Sequence, residues 1–171
     1  MRDPASWYHL VLSINTSEGS SDNRTKFYIN GERFTDFDGN NLNSVSNSFQ
    51  YGWNNTILHT ICKDPAPSGT DYFSGYITNF VNIDGQALAP SSFGETDSTT
   101  GEWKPKADLS GLTFGTNGCW LKFENEGNLG ADSSGNGNNW TVSGAGTNAK
   151  TADTANNSFA TFRIVFKFLF P

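Results

Sequence analysis

Four aromatic side chains in turn-rich parts of the chain are the clearest candidates for binding chemistry. Tyrosine and tryptophan present a flat apolar face with a polar edge, which suits contact with a sugar ring. The turns around them are rich in Asn, Asp and Gly, which supply hydrogen bonds at small entropic cost. The candidate glycan-binding residues are Tyr51, Trp53, Tyr72 and Trp103. For Trp53 and Tyr72, a place in the hydrophobic core is the alternative interpretation.

Two pairs of acidic residues have the alternate spacing that glycoside hydrolysis uses, Glu95 with Asp97 and Glu124 with Glu126. A retaining glycosidase needs two carboxyl groups about 5 Å apart. A glycosidase that carries these carboxyl groups on one strand also requires a third acid there, and neither pair has one. Glu95 and Asp97 moreover lie in a connector rich in Gly and Ser. The chain also has no nucleophile elbow and no phosphate-binding loop. We therefore predict that the protein is not an enzyme.

One polar turn has part of the spacing of a calcium loop. Asp132, Ser134, Asn136 and Asn138 alternate as oxygen ligands would. The position that a bidentate glutamate should occupy is Ser143, so the site would carry a single formal charge. A glycine-rich turn is the favoured interpretation. We predict no cofactor, with weak calcium binding at this turn as the alternative.

Two cysteines and two histidines complete the reactive side chains. Cys62 and Cys119 allow one disulfide at most, and no CxxC motif or Cys/His cluster indicates a metal site. Because cysteine is among the most often buried residue types, two buried free thiols are the favoured interpretation. We expect His9 and His59 to be structural.

Composition limits both the fold and the partners. The chain has 171 residues, 17 acidic and 11 basic, with a formal net charge of -6. Only 16% are charged, below the usual value of about 25%, and the excess of Asn, Ser, Thr and Gly favours short strands joined by turns in one domain. The acidic balance argues against nucleic-acid binding. We also predict no membrane span, since no apolar run reaches about 18 residues, and no signal peptide.

Alternating apolar residues predict the strands that must position these side chains. Residues 7–14 form a nearly continuous apolar run that suits a central strand covered on both sides. Asn30-Gly31 between two alternating segments predicts a β-hairpin over residues 25–36, because both turn positions need positive φ.

The middle of the chain continues this pattern with longer interruptions. Residues 72–83 predict a long strand, broken or bulged at Gly75, and residues 88–101 predict a connector with one helical turn at 90–93. Residues 119–124 alternate as a half-buried strand does. Strands at this spacing predict an all-β fold, specifically an antiparallel β-sandwich or jelly roll.

The last ten residues, 162–171, differ from the rest. Five apolar side chains occupy one alternating phase, and basic residues occupy part of the other; the apolar residues are Phe162, Ile164, Phe166, Phe168 and Phe170. An exposed strand of this kind would be prone to aggregate. We therefore expect this segment to pack against the sandwich, to contact another subunit, or to be disordered for lack of a partner. A frame-shifted ending is a further interpretation.

Several strings of residues resemble a known family. The later strands of concanavalin A-like, laminin-G-type domains are similar to Trp7–Val11, Lys26–Gly31, Tyr72–Ile77 and Asp84–Leu88. Long virion proteins of tailed phages from marine and fresh water are similar to Pro90–Asp97, Gly115–Gly118 and Asp132–Trp140. The resemblance spans roughly residues 5–161. It implies a lectin-like jelly roll on a phage particle, made in the host cytoplasm.

The order of these strings departs from that of the family. The strand at Trp7–Val11 normally lies midway in such a domain, whereas the strand at Trp120–Phe123 resembles its beginning. Residues 1–101 thus correspond to the back half of a sandwich with a connector, and residues 102–161 to front-half strands. We favour a single permuted sandwich over two partial modules, because together the halves supply about enough strands for one core. Completion by a neighbouring subunit is the alternative.

The resemblance leaves two functions open. The leading hypothesis is a non-enzymatic virion protein, on a tail fibre or capsid surface, that attaches to host or environmental glycans. The alternative is a structural capsid decoration or assembly protein that binds other virion subunits. In either case we expect a homo-oligomer. Attachment predicts exposed aromatic side chains clustered with Asn and Asp in loops, whereas decoration predicts a C-terminal segment buried between subunits.

Overall fold

The described part of the protein consists mostly of strands and turns in small antiparallel sheets, which confirms the all-β prediction. The computed structural model describes residues 6–37, 45–53, 55–65 and 71–144. Helical structure in these ranges is limited to one turn, α1 (Ser21–Arg24), and a 3-10 turn at Pro90–Ser92. The strands are β1 Leu10–Ile14, β2 Thr25–Ile29, β3 Glu32–Phe34, β4 Phe80–Asn82, β5 Gly94–Thr96, β6 Trp103–Pro105 and β7 Cys119–Leu121. Within the same ranges no helix has the length and apolar character needed to cross a membrane.

The predicted hairpin is confirmed. β2 and β3 pair antiparallel, with Phe27 opposite Phe34, and Asn30 and Gly31 take φ values of 50° and 84° in the turn between them. Glycine is also required for space, because a Cβ atom at Gly31 would lie 2.5 Å from the Trp103 ring. The hairpin therefore brings β2, β3 and a distant tryptophan together.

The prediction of a central strand at residues 7–14 is wrong for the described structure. The strand is β1, and it lies at the edge of a three-stranded sheet in the order β1-β2-β3. Leu12, in the middle of β1, is 58% exposed. Among the described residues, β1 has a strand neighbour on one side only, although its apolar sequence is typical of a strand with neighbours on both.

A second, better-covered sheet forms the hydrophobic core. β4 and β7 pair antiparallel, with Val81 opposite Trp120. Trp120 packs against Leu109 and Phe114, and its ring stacks on that of Phe114 with centroids 6.3 Å apart. All three residues of β7 are buried. The predicted half-buried strand is thus shorter and fully buried, because β4 covers its edge and the core covers its faces.

The long strand predicted at residues 72–83 is also wrong. Within residues 72–83 only β4 is a strand, and Tyr72 takes part in an isolated antiparallel bridge with Lys63. Asn79, just before β4, has a left-handed backbone with φ of 54°. This conformation interrupts an extended chain, and asparagine tolerates it better than most residues.

The connector prediction at residues 88–101 is right in one part and wrong in another. The helical turn predicted at 90–93 is confirmed by the 3-10 turn, where the Phe93 N–H donates to the Pro90 carbonyl at 2.9 Å. The following residues form β5, which pairs with β6, so that Thr96 lies opposite Trp103. Trp103 therefore belongs to a strand and not to a loop.

Candidate functional site

Trp53 is an exposed aromatic side chain held in one orientation by its neighbours. It keeps 40% of its surface exposed, and its indole Nε1–H donates to Asn82 Oδ1 at 2.8 Å. The His59 ring stacks on the indole, with centroids 5.0 Å apart and planes inclined by 26°. The Phe80 ring is a second, tilted neighbour with its centroid 6.1 Å from that of the indole, and Phe80 in turn meets the Trp140 ring edge-on at 5.7 Å. The indole is thus fixed while part of it faces solvent.

A network of amide and carboxylate groups continues from the polar edge of the indole. Asn82 Nδ2 donates to the Asn117 carbonyl at 3.1 Å. Asn117 in turn donates to Asp84 Oδ2 from both its backbone N–H, at 3.1 Å, and its Nδ2, at 3.0 Å. The side chains of Asn82 and Asp84 are half-buried, whereas Asn117 is exposed. This network fixes polar groups beside Trp53.

The pairing of β4 with β7 explains why residues so far apart in sequence meet here. Asn82 ends β4 and lies opposite Cys119, the first residue of β7. The turn before β7 contains Asn117, so it is brought next to the end of β4. Asp84 follows Asn82 by two residues, and the Asp84 N–H donates to the Phe114 carbonyl at 2.8 Å. The sheet therefore fixes the spacing of the network.

Tyr51 and Tyr72 differ from each other in exposure and contacts. The Tyr51 hydroxyl is hydrogen-bonded to Thr25 Oγ1 at 3.0 Å, and its ring meets Phe49 edge-on at 5.1 Å. Tyr72 is 69% exposed, with Lys63 Nζ 6.0 Å from its ring centroid. The core alternative is therefore wrong for Tyr72, as it is for Trp53, while Tyr51 uses its polar group to hold two segments of the protein together.

Trp103 has a structural position. Its Nε1–H donates to His9 Nδ1 at 2.9 Å, and the two rings stack with centroids 5.9 Å apart. Burial lowers the pKa of His9, which keeps the imidazole neutral so that Nδ1 can accept this hydrogen bond. The backbones of Gly31 and Gly94 both lie close to the indole, since a Cβ atom at either position would be 2.5 Å from a Trp103 ring atom. This contact joins β1 and the hairpin turn to β6, and it bears out the structural role expected for His9.

A large cavity connects several of these aromatic residues. Its volume is about 1330 Å³, and Tyr51, Trp53 and Trp103 contribute to its walls, whereas Tyr72 does not. Small-molecule pockets usually have volumes of about 300–1,000 Å³. The cavity is therefore larger than a single small ligand needs. The structure brings three of the four predicted glycan-binding residues to this cavity, and only Trp53 among those three is exposed.

The acidic pair Glu95 and Asp97 faces a lysine. Lys104 Nζ lies 3.8 Å from Glu95 Oε1 and 3.0 Å from Asp97 Oδ2. The hydrogen bond from Lys104, with those from the backbone N–H groups of Thr99 and Thr100, lowers the pKa of Asp97 to about 2. Asp97 is thus a carboxylate at neutral pH and serves as an ion-pair partner on the β5–β6 surface. Of the second pair, Glu124 and Glu126 are both exposed.

The turn predicted as a weak calcium candidate is closed by its own hydrogen bonds. Asp132 Oδ1 accepts from the N–H groups of Trp120 and Ser134, at 2.9 Å each, and Oδ2 accepts from Ser134 Oγ and the Asn138 N–H. Burial by itself raises the pKa of the Asp132 carboxyl, but these hydrogen bonds together hold it below its usual value. Asn136 and Asn138 each donate from Nδ2 to the Gly118 carbonyl, at 3.0 and 2.8 Å. The Asp132 carboxylate therefore closes the turn.

The remaining predicted residues are the two cysteines and the C-terminal subunit-contact residues. Cys119 is a buried free thiol as expected, and burial raises its pKa; Cys62 is also free but exposed, so that part of the prediction is wrong. Within the described ranges, no group of three or more His, Cys, Asp or Glu side chains could hold a metal ion. The predicted subunit-contact residues, Phe162, Ile164, Phe166, Phe168 and Phe170, lie outside the described residues.

Sequence reasoning missed the polar half of the Trp53 site. Asn82, Asp84 and Asn117 carry no local motif, because their proximity depends on the pairing of two strands about 40 positions apart in the chain. His59 stacks on the nearby Trp53 and also belongs to no motif. The one usable signal was Asn82 and Asp84 at alternate positions where the predicted strand ends. No protein family, curated protein or solved structure matches the chain in the comparisons.

Proposed function

We propose that the chain is a non-enzymatic virion protein of a tailed phage that attaches to surface glycans through the Trp53 surface, defined as Trp53, His59, Asn82, Asp84 and Asn117. The observation that carries the binding role is the exposed indole held beside an amide and carboxylate network. Aromatic residues with a few convergent polar groups suit a ligand that has both apolar faces and hydroxyls. The location on a virion rests on the sequence resemblance alone.

The fold that we propose for this function is a permuted, concanavalin A-like sandwich. Its support is the pairing of β4, from residues 1–101, with β7, from residues 102–161. The contact between Trp103 and His9 also joins the two parts. A single sandwich that uses strands from both parts is consistent with these pairings, and two independent partial modules would not need them.

One observation favours a second candidate, a capsid decoration or assembly protein. Apolar side chains outside the Trp53 surface are well exposed, including Phe49 at 50%, Ile57 at 58% and Leu58 at 71%. Apolar groups in this number suit contact with another subunit. In this role the binding partners would be other virion subunits and not glycans.

A glycan array with purified full-length protein tests the attachment role. We expect wild-type protein to give signals on a defined set of glycans and Trp53→Ala to lower those signals at least about tenfold, since stacking on an aromatic face supplies much of the contact area. Because Trp53 is partly exposed, the variant should remain folded, as circular dichroism would check.

Tyr72→Ala is the matched control, because it removes an aromatic ring that is more exposed but does not line the cavity. We expect its array signals to equal those of wild type. Absence of any wild-type signal, or equal losses in both variants, would contradict the proposal. Binding to purified phage capsids or tails that survives Trp53→Ala would favour the decoration role.

A further inference from the structure

We infer that Asn136 and Asn138 are positioning residues for the Trp53 surface, which they hold in place through the turn at residues 115–118. We call this turn the Asn117 turn. The role in glycan binding rests on the proposed function, whereas the position of Asn117 can be measured without any ligand.

The Asn117 turn contacts the chain just after β4. Asn117 donates to Asp84 Oδ2 from its backbone N–H, at 3.1 Å, and from its Nδ2, at 3.0 Å. A Cβ atom at Gly115 would overlap the Asp84 carbonyl oxygen, so the two backbones lie in close contact. None of these contacts uses a carbonyl group of the turn.

Two side-chain amides hold the carbonyl groups of the Asn117 turn. Asn136 Nδ2 and Asn138 Nδ2 each donate to two carbonyl groups, over distances of 2.6–3.0 Å. The acceptors are the carbonyl groups of Gly115, Thr116 and Gly118. The backbone before and after Asn117 is therefore fixed, and the direction of the Asn117 side chain is fixed with it.

The two asparagines are themselves anchored on β7. Asp132 accepts from the Trp120 N–H with Oδ1 and from the Asn138 N–H with Oδ2, at 2.9 Å each. Ser134 Oγ donates to the same carboxylate and accepts from the Asn136 N–H at 3.2 Å. Because Trp120 lies in β7 and is 2% exposed, these bonds connect both asparagines to a buried strand.

The Asn117 turn also reaches the indole of the Trp53 surface. The Asn117 carbonyl accepts from Asn82 Nδ2 at 3.1 Å, and Asn82 Oδ1 accepts from the Trp53 Nε1–H at 2.8 Å. Loss of the amide of Asn136 or Asn138 would therefore loosen the turn and then the asparagine that orients the indole. A surface that is fixed in advance has less to order when a ligand binds, so loosening it weakens binding.

Two isosteric substitutions, Asn136→Asp and Asn138→Asp, test the inference in the full chain without ligand. Each retains the size of the side chain but replaces the donor amide by a carboxylate, which repels the carbonyl groups of the turn. We expect the Asn117 N–H to exchange with solvent at least about fivefold faster in each variant, as measured by NMR. The Lys106 N–H, which donates to the Phe93 carbonyl at 2.8 Å, should exchange as in wild type.

Asn128→Asp is the matched control, because it makes the same chemical change and adds the same charge at an exposed residue. We expect it to leave the exchange of the Asn117 N–H unchanged. With the glycan that gives the strongest array signal, Asn136→Asp and Asn138→Asp should raise the Kd at least about fivefold, and Asn128→Asp should not change it.

The outcomes separate this inference from the proposed function. Unchanged Asn117 exchange in both variants, or equal acceleration at Asn117 and Lys106, would overturn the inference whatever the glycan results. Faster Asn117 exchange with an unchanged Kd, where Trp53→Ala abolishes binding, would overturn the role in binding and leave the proposed function standing. Absence of wild-type binding would contradict the proposed function, and the exchange rates alone would then decide whether the two asparagines position Asn117.

Discussion

Two apolar regions of this protein reach very different degrees of burial. In the C-terminal core, formed by Leu109, Phe114 and β7, Trp120 is 2% exposed. In the N-terminal sheet, formed by β1, β2 and β3, Leu12 is 58% exposed. Both regions are built on short apolar strands. The difference therefore lies in the neighbours that cover each strand and not in the strand sequences.

The two regions also differ in the polar contacts that hold them in place. Around β7, the Asp132 carboxylate and the Asn136 and Asn138 amides connect two turns by hydrogen bonds to backbone groups. The N-terminal sheet instead meets the rest of the described protein through separate side-chain contacts, such as His9 with Trp103 and Thr25 with Tyr51. Trp53 rests on β4, which belongs to the better-packed region. The proposed binding surface thus has a rigid support.

The largest effect that would test this comparison is expected in the core. Trp120→Ala should lower the free energy of unfolding by about 3–5 kcal/mol, because a fully buried aromatic ring is replaced by a cavity. Leu58→Ala, at a residue that is 71% exposed, should change it by no more than about 0.5 kcal/mol. Urea denaturation followed by circular dichroism measures both values. Similar losses in the two variants would remove the contrast between core and surface.

A glycine substitution provides the next test. A Cβ atom at Gly118 would lie 1.9 Å from the Phe114 carbonyl oxygen, whereas at Gly19, beside the N-terminal sheet, it would meet nothing within 4 Å. We expect Gly118→Ala to cost about 1–3 kcal/mol, since backbone must move. Gly19→Ala should be close to neutral in the same urea experiment. A neutral Gly118→Ala would contradict the close approach of the Gly118 and Phe114 backbones.

Removing the charge that closes the Asp132 turn should have a smaller, pH-dependent effect. At pH 7 we expect Asp132→Asn to lose about 1–2 kcal/mol, from weakened charge-assisted hydrogen bonds. Because the pKa of Asp132 is lowered in the folded protein, its stabilisation is complete above the unfolded pKa of about 3.9 and is lost as the pH falls through the folded pKa. The difference from wild type should therefore shrink below about pH 4. Asp36→Asn, at an exposed position, is the control.

The smallest effect is expected from calcium. Because four donors already occupy the Asp132 carboxylate oxygens, melting temperatures in EDTA and in millimolar calcium should agree within about 1 °C. Differential scanning fluorimetry is sufficient for this comparison. A melting temperature several degrees higher in calcium would instead indicate a metal site at this turn, and the turn would have to rearrange to form it.

Local signals in the sequence predicted local structure well. Asn30-Gly31 specified the hairpin because both residues tolerate positive φ, and Pro90 marked the 3-10 turn because its fixed φ suits a helical start. Alternation also located the strand at Cys119, although its burial on both faces was not predicted. In each case, the determining residues lie within a few positions of the element that they specify.

Long-range contacts were not accessible in the same way. The predicted strand at residues 72–83 is interrupted at Asn79, whose side chain accepts a hydrogen bond from Trp120, 41 positions away. Trp103 is drawn into a strand and against His9, 94 positions away. The Asn82–Asn117 contact at the proposed site depends on strand pairing in the same way. Neither composition nor periodicity encodes such partners directly.

The most direct test of the proposed function compares the indole signals of Trp53 and Trp120. Each of the five tryptophans has one indole N–H resonance in a ¹H–¹⁵N spectrum, and assignment by single substitution identifies them. On titration with the glycan that gives the strongest array signal, we expect the Trp53 resonance to shift with saturation while that of the buried Trp120 stays in place. A saturating shift confined to other tryptophans, with Trp53 unchanged, would contradict glycan binding at the Trp53 surface.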